Sequence, residues 1–415
     1  KMAQETGTED ALPAGWRWAD LASRQGRAQL DFYRAQLTRL GSHGSAQVRS
    51  IYDDARSSLR QPRSLARLVT ELDALDWYSA REEGLGDLYE GLLAKNAHER
   101  KSGAGQYFTP RPLIDVMVQL VRPGPGEIIS DPAAGTLGFL VRADAHIRAG
   151  TDGLRDLDEA AQRFQRREAL RGVELVPDTR RLATMNALLH DVEADILLGD
   201  TLSPLGQDLA PSDVILTNPP FGSRRGAGAP TREDLAFPTG NKQLAFLQHI
   251  YRNLKPGGRA AVVLPDNVLF EDGVGQKVRS ELMELCDLHT ILRLPTGIFY
   301  APGVKTNVLF FTRAQADRGQ ADRGQTERTW VYDLRTDMPP FGKRRPFTAA
   351  VLEGFVRVYG DDPRGKSARQ DEGEAGRFRV FERAEIAARG DNLDITWLRG
   401  GAVERPEDLP APGEI

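Results

Sequence analysis

The chain has one cysteine, Cys286, in 415 residues. That excludes a disulfide framework and a thiolate zinc site, and it suits a reducing cytoplasm. Cys286 falls in step with Leu282, Leu285 and Leu288, so core packing is expected rather than nucleophilic chemistry. The six histidines show no paired ligand spacing, and no metal is expected. No window approaches the ~18 consecutive apolar residues that span a bilayer, and no charged n-region leads into an apolar run. No membrane partner is therefore expected. Positive charge is not in excess either: 55 Lys and Arg stand against 59 Asp and Glu, a net charge of −4. A chain holding nucleic acid alone through its phosphates would be basic. A nucleic-acid substrate here would need a local patch or a partner.

What is present is an ordinary globular composition, 40% hydrophobic and 27% charged, at a length that suits two domains. Residues 16–98 read as helical. Leu21, Leu30, Tyr33, Leu37 and Leu40 recur at helical spacing, as do Leu65, Leu68, Val69, Leu72 and Leu75. Such a small helical domain suits docking.

The stretch around which the rest is organised is Asp213-Val214-Ile215-Leu216-Thr217-Asn218-Pro219-Pro220-Phe221-Gly222. Its apolar, β-branched start reads as a buried parallel strand. The two prolines lack an N–H and hold φ near about −65°, so the ladder stops and the chain leaves extended at the strand's carboxyl end. Ligands bind at that edge of an open α/β sheet. The groups emerging there suit a planar –NH2 group, a poor nucleophile because its lone pair is delocalised. The Asn218 side-chain carbonyl and the Pro219 backbone carbonyl can each accept one N–H, and Phe221 offers a face for stacking. The competing reading is a strand-ending turn with a buried Phe.

Upstream, Gln106-Tyr107-Phe108-Thr109-Pro110-Arg111-Pro112 leads into a helix through Leu113, Val116, Met117 and Leu120. Thr109 is read as its N-cap and Pro110 as its first residue. Alternatively the Gln106–Thr109 backbone and rings close over a ligand. Next, Glu127-Ile128-Ile129-Ser130-Asp131-Pro132-Ala133-Ala134-Gly135-Thr136-Leu137-Gly138 reads as strand, small-residue turn and helix. Gly135 and Gly138 let the backbone approach a ligand, with the helix N–H groups facing it. The dinucleotide spacing G-x-G-x-x-G fails, and Asp131 suits an ammonium better than a pyrophosphate. Glu174 closes a second strand over 170–175, where it can accept from two ribose hydroxyls or cap the next helix. Asp200 follows a third strand, where it takes an adenine amino group or makes a turn.

Tyr107-Phe108-Thr109-Pro110, Asp131 through Thr136, Glu174, Asp200 and Asn218–Phe221 occur in that order, the last four at successive strand ends. The order resembles the amino-methyltransferases, and within them the modification subunits of type I restriction–modification systems. The likeness continues through Thr239–Ile250, Leu254–Phe270, Leu292–Tyr300, Val304–Phe311 and Val331–Thr336, covering most of residues 30–400. It implies an α/β fold: a Rossmann-like S-adenosylmethionine-dependent methyltransferase sheet, mostly parallel with helices on both faces, behind a small helical domain. It divides the chain into a helical docking domain (1–100), a catalytic domain (101–340) and a C-terminal extension with a partly flexible tail (341–415).

The activity implied is methyl transfer from S-adenosylmethionine to the N6 amine of adenine in double-stranded DNA, the base being flipped from the duplex. The cofactor motifs of the family fall on Gln106, Tyr107, Phe108, Thr109, Pro110 and Arg111, on Asp131, Ala134, Gly135, Thr136, Leu137 and Gly138, and on Glu174 and Asp200. Its catalytic motif falls on Asn218, Pro219, Pro220 and Phe221. No strongly shifted general base is required; positioning and electrostatic pre-organisation are the task. Phe299 is a candidate second wall for the flipped base or a core Phe, and Arg224 and Arg225 are candidates for phosphate contact or a solvated loop. The partners implied are a specificity subunit that reads the DNA, a second copy of this chain and a restriction subunit. The family's C-terminal partner-binding helices are not in this sequence, which reads as a shortened chain. Gln315-Ala316-Asp317-Arg318-Gly319 repeats at once as residues 320–324 and is expected to be a flexible insertion without chemistry. The polar stretch Asp361–Gly376 is similar in composition. Two rival functions share the motif or the fold: a protein glutamine N5-methyltransferase, and a non-catalytic scaffold.

Overall fold

The structure, a computed structural model, describes residues 12, 14–43, 46–74, 89, 91, 109–222, 232–299, 304–315, 325–342 and 345–398. Among the described residues nine strands form one sheet: β1 (Ile129–Asp131), β2 (Leu170–Glu174), β3 (Asp195–Leu198), β4 (Ser212–Thr217), β5 (Leu254–Pro265), β6 (Cys286–Arg293), β7 (Thr306–Arg313), β8 (Arg328–Asp333) and β9 (Phe378–Glu382). Their order is β3-β2-β1-β4-β5-β7-β6-β8-β9. Neighbours are parallel except at β5–β7, β7–β6 and β8–β9, so β7 and β9 run against the rest.

Each face of the sheet carries its own core because side chains alternate along a strand. Val214 and Leu216 of β4 join Val263 of β5 and Phe310 of β7 beneath the helices Arg111–Val121 and Gly138–Ala149. Ile215, Val262 and Leu309, one residue out of step, pack on the other face with the helices Lys242–Asn253 and Val274–Leu285. Cys286 sits in that second core, and burial pushes its thiol up to about 12. The sequence expectation of a packed, unreactive cysteine agrees with this.

Ahead of the sheet, the helices Gly26–Ser42 and Pro62–Asp73 bury Leu30, Leu65 and Val69 together in a small core. The helix Ala46–Tyr52 packs on the sheet helix Pro177–Leu189. At the other end, the residues read as an extension do not stand apart. Phe355, Tyr359 and Phe378 lie in the first core, Ile386, Leu393 and Ile395 in the second, and β9 completes the sheet. The polar stretch after Tyr359 is pinned rather than loose. Arg369 lies over the Tyr359 ring and donates to Thr290 (2.8 Å), and Lys366 pairs with Asp287 (2.7 Å).

Thr109 is not the N-cap of its helix, which runs Arg111–Val121 with Pro110 in the cap position and no side-chain cap. The Thr109 hydroxyl is engaged elsewhere, accepting from Asn218 Nδ2 at 3.0 Å, and of the two N–H groups a cap at 109 could take, the one at Pro112 is missing. The sequence positions Gln106, Tyr107 and Phe108, Arg224 and Arg225, and residues 316–324 of the tandem repeat lie outside the described residues.

Candidate active site

The order β3-β2-β1-β4 brings the ends of four separate segments side by side. Asp131 closes β1, Glu174 closes β2, Asp200 follows β3, and Asn218 follows β4. Asp131 is fully buried. Its Oδ1 accepts from the Thr217 hydroxyl at 2.6 Å and from the Ala133 N–H at 3.0 Å. Burial pushes its pKa up to about 7, and the Glu174 charge adds to that, while those two hydrogen bonds work in the opposite direction. Glu174 is also raised, chiefly by burial. Its Oε2 accepts from Gly135 N–H (3.0 Å) and its Oε1 from Val176 N–H (2.8 Å). Asp200 accepts from Leu202 N–H at 2.9 Å.

The turn after β1 is held residue by residue. The Thr201 hydroxyl donates to the Pro132 carbonyl (2.6 Å), Ala134 N–H to Val173 (2.9 Å) and the Asn186 amide to the Thr136 carbonyl (2.9 Å). Gly135 and Leu137 both take positive φ, +52° and +74°. A leucine in that region is strained, and such strain persists only where surroundings over-determine it. Here its side chain is completely buried between the sheet and the helix it starts.

Asn218 leaves β4 half-buried, with Pro219 buried behind it. Its Nδ2 donates to the Thr109 hydroxyl at 3.0 Å, joining the catalytic candidate to the first residue described after the Gln106–Phe108 stretch. Phe221 meets Phe299 edge to face, with ring centroids 6.4 Å apart and planes at 69°. Phe299 is only 5% exposed and belongs to the core, so it stands behind Phe221 as well as beside the motif. Gly222, at φ +106°, ends the segment, and its carbonyl accepts from Lys242 N–H (3.2 Å). Asn241 caps that helix, accepting from Gln243 and Leu244 N–H groups at 3.1 and 3.3 Å.

Of the residues singled out from sequence, Asp131, Ala134–Gly138, Glu174, Asp200 and Asn218–Phe221 therefore converge on one edge of the sheet, with Thr109 attached through Asn218. Pro110 and Arg111 start the helix next to it. A cleft of about 340 Å³ opens beside it, lined by β1, β2, β3 and β4 residues with His249 and Asn253; it shares Asp131, Pro132 and Val173 with this edge. The braces Thr201, Asn186 and Thr217 were not singled out from sequence. Neither were Leu175 and Val176, 60% and 41% exposed beside Glu174. The signal for these two was present: apolar residues continuing past a strand-ending carboxylate.

Residues 80–404 match the family described as N-6 DNA methylase. The chain is 49% identical to the methylase subunit of the type I restriction enzyme StySPI of Salmonella potsdam, over 99% of this chain and 84% of that protein. It shows the same identity and coverage with the EcoKI methylase subunit of Escherichia coli. The crystal structure of the EcoKI M protein superposes with a TM-score of 0.66 at 44% identity, covering 98% of this chain and 84% of that one. A chain from a structure of a type I restriction–modification system gives a TM-score of 0.76 at 26% identity, covering 100% and 85%. The chain belongs to the N-6 DNA methylase family, in the group formed by the methylase subunits of type I restriction enzymes.

Proposed function

We propose that this chain is the modification subunit of a type I restriction–modification complex, working in the cytoplasm. It transfers a methyl group from S-adenosylmethionine to N6 of an adenine flipped out of double-stranded DNA. The observation that carries the reading is a single hydrogen bond: Thr217, the residue before Asn218, donates to Asp131 of the neighbouring turn at 2.6 Å. That bond sets an amine-gripping motif directly against a turn suited to the cofactor.

The residues fit that cofactor. A Cβ at Gly135 would meet only the Ala133 carbonyl, at 3.9 Å, so a ligand can approach the backbone there. Glu174 offers a carboxylate to ribose hydroxyls, Leu175 and Val176 offer apolar surface to a purine, and Asp200 lies at the next strand end. Asp131 suits the ammonium of the amino-acid part. Bound there, the cofactor supplies a methyl group on a sulfonium, an electrophile with a neutral leaving group.

The chain's own part is positioning. The Asn218 carbonyl and the Pro219 backbone carbonyl accept the two N–H bonds of the adenine amine, turning its lone pair out of conjugation. Thr109 holds the Asn218 amide by its nitrogen, at 3.0 Å, and so fixes the amide plane. Phe221 stacks on the ring, an interaction worth about 1–3 kcal/mol per base. Gln106–Arg111 close over the cofactor, and Arg224 and Arg225 contact phosphates. With a net charge of −4, sequence reading is assigned to a specificity subunit, with a second copy of this chain and a restriction subunit as further partners.

The test is transfer of a labelled methyl group to duplex DNA and, separately, to protein, with and without the specificity subunit. Adenine methylation that requires the specificity subunit is expected. Label appearing only on protein glutamine would replace this reading, and no label on any substrate with the partner present would leave a scaffold.

A further inference from the structure

Three segments meet beyond the carboxyl ends of β5, β6 and β8, and one guanidinium joins them. Arg335 donates through Nε to the Leu294 carbonyl at 3.0 Å and through Nη2 to the Thr306 carbonyl at 3.0 Å. Its two Nη groups also meet Asp266, at 2.7 and 2.8 Å. Asp266 is fixed in turn by the Asn307 amide at 2.8 Å, and its own N–H donates to the Lys305 carbonyl at 3.0 Å. The turn carrying Arg335 hangs on Asp333, whose Oδ1 accepts the Arg335 and Thr336 N–H groups at 2.8 Å each. Burial works against charge on Asp266, but the bonds and charge of Arg335 outweigh it and hold the carboxyl below its ordinary value. Asp266 thus faces Arg335 as a carboxylate.

Leu294 and Thr306 are the two ends of the β6–β7 connection, the segment that carries Phe299 against Phe221. The backbone already ties these two ends, Leu294 N–H donating to the Thr306 carbonyl at 3.0 Å just beyond the Arg293–Asn307 register pair, and Arg335 adds a bond to each of their carbonyls. Gly297 within the connection is packed so closely that a Cβ would lie 2.2 Å from the Phe341 carbonyl, so the segment has little room to shift on that side. We infer that Arg335, braced by Asp266, is a positioning residue for the target-base side of the site: it clamps the mouth of the β6–β7 connection and so fixes the Phe299–Phe221 pair on which the flipped adenine rests. The inference rests on the functional reading above and assigns a residue that touches neither substrate nor cofactor.

The test uses the complex with its specificity subunit on two duplexes carrying its site: one with the target adenine, for methylation kinetics, and one with 2-aminopurine in its place, which lacks the 6-amino group and reports flipping only. Arg335→Lys keeps the charge facing Asp266 but cannot supply a planar fork to three acceptors. It is expected to raise KM for DNA about tenfold and to lower the 2-aminopurine emission that reports flipping, as loss of charge-assisted bonds implies. S-adenosylmethionine affinity, measured by calorimetry, is expected to stay unchanged, with Arg335→Ala more severe and Asp266→Asn milder in the same direction. A merely structural role would weaken cofactor affinity and DNA binding together, and that result in Arg335→Lys overturns the clamp. So does a variant indistinguishable from wild type. A wild-type complex that methylates no adenine strikes the functional reading itself, whereas a normal wild type with an unaltered Arg335→Lys strikes only the clamp.

Discussion

Replacing Thr109 by valine keeps the β-branched shape and removes one acceptor, the hydroxyl that takes the Asn218 Nδ2–H at 3.0 Å. A neutral hydrogen bond of this kind is worth about 1 kcal/mol net, and a buried amide N–H facing a methyl instead costs about 1–3 kcal/mol. That cost falls on the amide orientation used in the transfer step. At about 1.4 kcal/mol per factor of ten, the methylation rate is expected to fall roughly 10- to 100-fold. Single-turnover transfer of labelled methyl, at saturating DNA and cofactor, isolates that step from binding. Cofactor affinity is expected to hold, because the hydroxyl is engaged with Asn218 rather than with the turn after β1. Thr109→Ser, which restores an acceptor, should recover most of the rate. Two results would refute the reasoning: an unchanged rate in Thr109→Val, or a loss of cofactor affinity that accounts for the whole defect. The second would show that the Thr109 side chain, and not only its backbone, serves the cofactor.

Asn218→Ala is expected to abolish transfer while cofactor binding survives; calorimetry alongside the transfer assay checks both halves. Phe221→Ala should raise KM for DNA by roughly 5- to 150-fold, the equivalent of about 1–3 kcal/mol of stacking, and unaltered kinetics would remove its stacking role. Asp131, with its pKa at about 7 in the folded chain, favours folding in its neutral form. Stability from this group is therefore full below about pH 4 and is lost as pH rises through about 7, so Asp131→Asn should flatten that slope in urea titrations. Leu137→Gly relieves a left-handed backbone worth about 1–2 kcal/mol but removes a fully buried side chain worth about 3–5 kcal/mol. Net destabilisation by a few kcal/mol is expected in denaturant unfolding; a more stable variant would show that strain outweighs packing there.

The strand ends were legible in the sequence because their signals are local. Asn218-Pro219-Pro220 stops a ladder whatever surrounds it, and Asp131 through Gly138 declares a tight turn by small residues alone. The doubly covered sheet was likewise written into continuous apolar runs such as Val214–Leu216. What sequence could not give were bonds whose partners lie far apart along the chain. Thr109 and Asn218 are 109 positions apart, and Asp266 and Arg335 are 69. Nothing in either neighbourhood names the other. Thr109 also shows a local rule losing to a distant partner: a good capping residue gives its hydroxyl to the Asn218 amide instead. The stretch after Tyr359 misleads for a related reason. Its glycines and charges look solvated, but Arg369 finds an aromatic face and a buried threonine supplied by other segments.

The reversed direction of β7 explains how the second half of the sheet serves the first. Had β7 run parallel to β6, its connection would have needed a long crossover to the opposite edge. Running antiparallel, β7 begins at the edge where β6 ends, so the connection between Arg293 and Thr306 stays on the side of Asn218. Phe299 can then reach Phe221 across the ends of β5 and β7, the two strands between β4 and β6. The same reversal brings Thr306 and Asn307 to the carboxyl ends of β5 and β8, within reach of Asp266 and Arg335. The antiparallel β7 thus gives the sheet edge two adjoining halves: acidic strand ends on β1 and β2, proposed here for the cofactor, and an aromatic segment proposed for the base. Asn218 stands on the strand between them.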